Sequence, residues 1–118
     1  MITPRPKKVR LKDKTRTTIL AWKLLRFRAD SSLGPLFINK KLVVPLRRWL
    51  RAEDHPTKGY AHRPGWHAAP ARHAPHLSKK GRVWCKVWLQ GWVKIKRPAI
   101  QGGYWYLAEE MFVESVDL

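Results

Sequence analysis

Five histidines, His55, His62, His67, His73 and His76, fall in one stretch at spacings of 7, 5, 6 and 3 residues. Zinc sites place ligands a few residues apart and mix His with Cys or a carboxylate. Here Pro75 splits the closest pair and the nearest cysteine is Cys85. No metal site and no cofactor are expected. Such histidines bond to backbone or solvent, or gain charge near about pH 6 and strengthen an anion site. Paired carboxylates for acid–base catalysis are scarce, because no Asp or Glu occurs from His55 to Ala108. Cys85 alternates with Val83 and Val87, which puts the thiol on an apolar face where it is buried and inert. No catalytic residue is assigned from these patterns.

Chemistry directed at a polyanion is better supplied. The chain has 118 residues, 25 Lys+Arg against 8 Asp+Glu, and a net charge of +17. Residues 1–16 carry seven of those cations (Arg5, Lys7, Lys8, Arg10, Lys12, Lys14 and Arg16) beside one acid, Asp13. With two prolines and few apolar residues, residues 1–17 read as a flexible basic arm that engages phosphates without reading sequence. Arg47, Arg48 and Arg51, then Lys79, Lys80 and Arg82, would extend the cationic surface. Trp84, Lys86 and Trp88 share one strand face, with Trp92, Lys94 and Lys96 close behind. Rings interleaved with cations suit single strands, since rings stack on bases while cations meet phosphates. Trp84 and Trp88 are better suited to a core, because seven tryptophans in a small domain must mostly build its interior.

The elements that must position these groups are mainly strands. Residues 19–28 form a mixed apolar-basic run whose last part, Lys23 to Arg28, alternates loosely and stops at Asp30-Ser31-Ser32 and Gly34-Pro35, which reads as a strand and a turn. Leu36-Phe37-Ile38 and Leu42-Val43-Val44, separated by Asn39-Lys40-Lys41, suit a hairpin. Leu46, Trp49 and Leu50 fall on one helical face behind Pro45, which predicts a two-turn helix over 46–53. Residues 53–80, with four prolines, read as a long irregular loop. Residues 82–89 alternate as a strand, Gly91 interrupts, and 92–96 resume; 104–107 and 111–113 follow as two short strands after a Gln101-Gly102-Gly103 turn. The expected fold is a β-dominated α+β domain. It has a mostly antiparallel sheet of about six short strands, one or two short helices, the arm at 1–17 and a single body at 18–118. No apolar run has the length of a membrane span, and one cysteine fits a reducing, cytoplasmic setting.

The block His55-Pro56-Thr57-Lys58-Gly59-Tyr60-Ala61-His62-Arg63-Pro64-Gly65-Trp66-His67, followed by Ala74-Pro75-His76-Leu77-Ser78 and Gly81-Arg82-Val83-Trp84-Cys85-Lys86-Val87, resembles a family of small phage and prophage proteins of unassigned function. The resemblance runs from about Leu24 to Phe112 and takes in Gly34-Pro35-Leu36-Phe37-Ile38 and Gln101-Gly102-Gly103. Lys86, Trp88 and Lys94 stand where the family pattern implies acids, a departure suited to an anionic partner. More distantly, Gly65-Trp66-His67-Ala68 ahead of Gly81-Arg82-Val83 is similar to ADP-ribosyltransferase-like folds. That similarity implies Arg26 for binding nicotinamide dinucleotide, His67 for positioning and Glu109 or Glu110 for catalysis.

Three readings follow. The first is a small basic, phage-type protein that binds nucleic acid or a ribonucleoprotein through its cationic arm and surface. The second is an inhibitor or assembly protein docking on an acidic protein face. The third is an NAD-using transferase. The charge favours the first, since a surface that repels itself calls for a neutralising partner.

Overall fold

A computed structural model describes residues 7–37, 40–55, 63–74 and 76–117. Six strands form one antiparallel sheet: β1 (Ile19–Phe27), β2 (Leu33–Gly34), β3 (Trp49–Arg51), β4 (Trp66–Ala68), β5 (Arg82–Lys96) and β6 (Tyr104–Asp117). The order is β2-β1-β5-β6-β3, with β4 also paired to β6. The sheet curls back on itself. Ala69, just past β4, exchanges two backbone hydrogen bonds with Trp22 of β1 at 2.8 and 2.7 Å, so β1, β5, β6 and the β4 segment close a ring. Closure of this kind leaves fewer unpaired strand edges. The β-dominated class read from the alternation is the class observed.

The core follows from the period of two. Val83, Cys85, Val87 and Leu89 on β5 meet Ala21 and Leu25 of β1 and Met111 and Val113 of β6, all buried. Burial pushes the Cys85 thiol up to about 12, against a smaller opposing effect of Lys23, so it stays protonated. A smaller cluster forms from Leu24, Ala74 and Trp84, lined by Trp22, Leu36, Leu77 and Trp105. Among the described residues no helix is long and apolar enough to cross a membrane.

Several expected elements differ. The helix over 46–53 is absent: Arg47 sits at φ 55, and residues 49–51 form β3 on the edge of β6. The edge of a long strand offers backbone partners that an eight-residue amphipathic helix, marginal alone, cannot outcompete. Leu50 then packs on the core, while Trp49 lies 5.5 Å from Phe112. The only helical turn among the described residues is a short 3₁₀ segment, Ala99–Gln101, in the β5–β6 connection. The hairpin at 36–44 includes Ile38 and Asn39, which lie outside the described residues, and its flanks are not strands. The Arg28 guanidinium gathers that loop instead, donating to the carbonyls of Leu33, Lys40 and Leu42 at 3.2, 2.7 and 2.7 Å. The long loop at 53–80 contains β4, and its residues 56–62 and 75 lie outside the described residues.

β5 does not break at Gly91, and 104–117 is one strand rather than two. Where the pairing shifts between Lys86 and Val87, β6 carries Glu114 as an extra residue, a bulge.

The basic segment lies against the sheet from Lys7 on rather than projecting from it as an arm. At one end Val9 N–H donates to Ala52 O at 3.0 Å and Asp54 N–H to Lys7 O at 2.8 Å. At the other, Thr15 and Trp92 exchange hydrogen bonds at 2.8 and 3.0 Å. Residues 7–16 are therefore a strap running from β5 to the end of β3. Gly91 lies beneath it at φ +63, and a Cβ there would approach Glu109 Oε1 to 2.8 Å. Gly91→Ala is expected to lose about 1–3 kcal/mol, from a left-handed backbone and the crowded carboxylate. A lowered urea midpoint with unchanged slope would show it; an unchanged midpoint would refute it.

Candidate nucleic-acid interface

The strap crosses a carboxylate. Glu109 is buried on β6, and its Oε2 accepts from Leu11 N–H at 2.7 Å and from Lys14 Nζ at 2.6 Å. Arg51 Nη2 stands 3.7 Å from Oε1, while its Nη1 lies 3.8 Å from Glu110. The Arg51 guanidinium also donates to Val9 O, so β3, β6 and the strap meet through one cation. Burial pushes the Glu109 carboxyl up. The Lys14 and Leu11 hydrogen bonds and the Arg51 charge outweigh it and hold the group below its ordinary value.

Beside this contact lies an open hollow of about 550 Å³, lined by Lys8, Arg10, Lys14, Arg16 and Arg51 with Gln90, Gly91, Glu109 and Glu110. Five cations face two carboxylates, and both carboxylates are already engaged. Lys8 pairs with Glu53 at 3.1 Å. Arg10 and Arg16 are exposed and make no ion pair among the described residues. On the strap's other flank a second hollow is lined by Lys7, Lys8, Val9, Arg10, Leu11, Asp54, Pro64 and Leu107. Lys12 is exposed on a turn of the strap.

The remaining expected contacts are not gathered here. Arg47 and Arg48 are exposed ahead of β3. Lys79 and Lys80 are exposed before β5, and Arg82 donates to Ser78 O at 3.0 Å with its guanidinium 5.4 Å from the Phe37 ring. Along an extended strand Arg82 is about 26 Å from Gln90, too far to share the hollow. The Trp84 ring is buried in the smaller core cluster, so it is not open for stacking. Trp88 donates Nε1–H to Glu114 at 3.1 Å, and Lys86 pairs with the same carboxylate at 2.9 Å. That cluster is internally neutralised.

Two of the five histidines are pushed away from the charged form. Burial, with Lys23, Arg97 and Arg63 nearby, pushes His67 down to about 3, and burial and Arg97 also lower His76. His55 Nε2 lies 3.4 Å from Glu53, His73 is exposed, and His62 lies outside the described residues. Among the described residues no group of three or more His, Cys, Asp or Glu is placed to hold a metal ion. Of the residues implied by the transferase similarity, Arg26 donates to Leu36 O at 3.2 Å and Glu109 holds the strap.

Sequence reasoning passed over Arg51's central part and the aromatic pair Tyr104 and Tyr106. Their spacing of two along a strand was the available signal.

Glu109→Gln keeps an acceptor but removes the charge, and is expected to cost about 1–3 kcal/mol at neutral pH. Amide exchange at Leu11 and Thr15 should accelerate first. The folded-state carboxyl lies below its ordinary 4.5, so its stabilisation is present above that value and lost as pH falls through the folded value. The variant should therefore lose less stability than the unmodified protein on going below pH 4.5. Equal acid sensitivity in the two proteins would rule out this role for Glu109.

The sequence matches no protein-family model, no curated protein and no solved structure.

Proposed function

We propose that this protein binds nucleic acid through the strap hollow, by phosphate contacts that do not depend on base sequence. The observation that carries the reading is the convergence of Lys8, Arg10, Lys14, Arg16 and Arg51 on one concave surface. Cations alone on a tail would give diffuse attraction. Cations held at fixed positions around a hollow present donors to a phosphate chain with less ordering left to lose on contact. Arg10 and Arg16 are the principal phosphate contacts, because a guanidinium offers paired donors and neither is committed to a carboxylate among the described residues. Lys14 and Arg51 are held by Glu109 and shape the site. An origin among small phage proteins, suggested by the block at 55–67, fits this reading without adding to it.

The counterion-release argument makes the proposal quantitative. Affinity for a labelled oligonucleotide should fall steeply between about 50 and 200 mM salt, with a slope close to the number of phosphates neutralised. Replacing Arg10 and Arg16 together by alanine should lower affinity about ten-fold or more and make that slope shallower by roughly one to two. Fluorescence anisotropy at several salt concentrations measures both. A slope near zero in the unmodified protein overturns the reading. So does a stoichiometric acidic protein partner that oligonucleotide in excess fails to displace.

A further inference from the structure

Next to the hollow, the outer part of the β5–β6 hairpin carries a ladder of rings and cations. Trp92, Lys94 and Lys96 alternate along β5 and pair with Ala108, Tyr106 and Tyr104 of β6, which puts their side chains on one side of the hairpin. The Trp92 and Tyr106 ring centroids are 5.3 Å apart, and those of Tyr106 and Tyr104 are 5.8 Å apart, both pairs edge to face. Lys94 Nζ stands 4.8 Å from the Tyr104 ring centre. Lys94 and Lys96 are exposed, and the three rings are half-buried. The ladder is anchored: Trp92 donates Nε1–H to Thr17 O at 2.8 Å, where the strap joins β1.

Trp92 and Tyr106 rest partly against the main core, and three features distinguish this row from Trp84 and Trp88. Its rings lie on adjacent strands in an unbroken series, rather than one in a core and one tied to a carboxylate. It lies in the part of the chain, His55 to Ala108, that contains no acid. It also begins at Trp92, one residue after Gly91 in the wall of the cationic hollow, and Thr15 of the strap pairs with Trp92 itself.

We infer that the Trp92–Tyr106–Tyr104 row is a base-stacking platform for single-stranded nucleic acid whose phosphates continue into the strap hollow. The inference rests on the nucleic-acid reading above and specifies the strand. Faces of paired bases are covered by their neighbours in a duplex, so aromatic side chains reach them only in single strands. Lys94 and Lys96 beside the rings suit the phosphates between stacked bases. Uncharged ring-stacking ligands such as sugars would leave these cations without partners.

The test uses the whole chain with labelled oligo-dT and oligo-U of about 16 nucleotides, and a duplex of the same length. Tyr104→Leu and Tyr106→Leu keep apolar bulk but remove the ring. Each should weaken single-strand binding roughly ten-fold, with the salt slope and duplex affinity unchanged. Tyr104→Phe should bind as the unmodified protein does. The Arg10, Arg16 double variant should lose affinity for single strand and duplex alike. Leucine variants that melt normally and still bind single strands at full strength overturn the platform while leaving the hollow intact. Failure of the double variant to lose affinity overturns the hollow instead. Should the leucine variants not fold, crosslinking of unmodified protein to 5-iodouracil oligonucleotide decides. Adducts on Trp92, Tyr104 or Tyr106 support the platform, and adducts confined elsewhere refute it.

Discussion

A single buried carboxylate organises the basic half of this protein. Without Glu109, the strap would cross the sheet with Lys14 and the Leu11 N–H lacking an acceptor beside the Arg51 guanidinium. An uncompensated cluster of that sign would drive the segment into solvent. Taking a carboxylate out of water is costly, and it is repaid only when its lone pairs are filled. Glu109 has two short hydrogen bonds and a guanidinium to fill them. Gly91, with no Cβ, makes the room. The interaction is as much about location as about stability, since it decides where the remaining cations of the strap stand.

From that contact the division of labour across the surface follows. The acids are few and occupied by specific neighbours: Glu114 holds Lys86 and Trp88, Glu53 holds Lys8, and Asp117 holds Arg72. Cations are thereby sorted into those that brace the fold and those left facing water. Arg28 and Arg26 belong to the first kind, tying loop carbonyls to β1. Arg10 and Arg16 belong to the second. Net charge alone describes neither group, because it does not say which cations have carboxylates or carbonyls of their own.

Much of the sheet was legible in the sequence, and the reasons are local. Val83, Cys85, Val87 and Leu89 carry a period of two that no other element explains, and the strand is there. The same local logic misread Leu46, Trp49 and Leu50, since three apolar residues at helical spacing are too few to outweigh pairing with β6. Ala108, Glu109 and Glu110 looked like a break between strands. A carboxylate in a core-facing position is intelligible only once Lys14, 95 residues away, is seen to meet it. The candidate site was half legible for the same reason. Its cations were visible as a cluster, but which of them converge depends on contacts distant in sequence, and Lys79, Lys80, Arg82, Trp84, Lys86 and Trp88 proved to belong to other neighbourhoods.

The strap also orders the events of biosynthesis. Residues 7–16 leave the ribosome well before the residues that hold them: Ala52 and Asp54 anchor one end, but Glu109 and Trp92, which hold the rest, come from the last two strands. Pairings so distant in sequence are slow to form, because loop closure must precede any gain. Until those residues are made, the carboxyl-terminal part of this strongly cationic segment has none of its native partners, and its first polyanionic surroundings are the ribosomal RNA beside the exit site. The last two strands to be made are what complete the shaped surface.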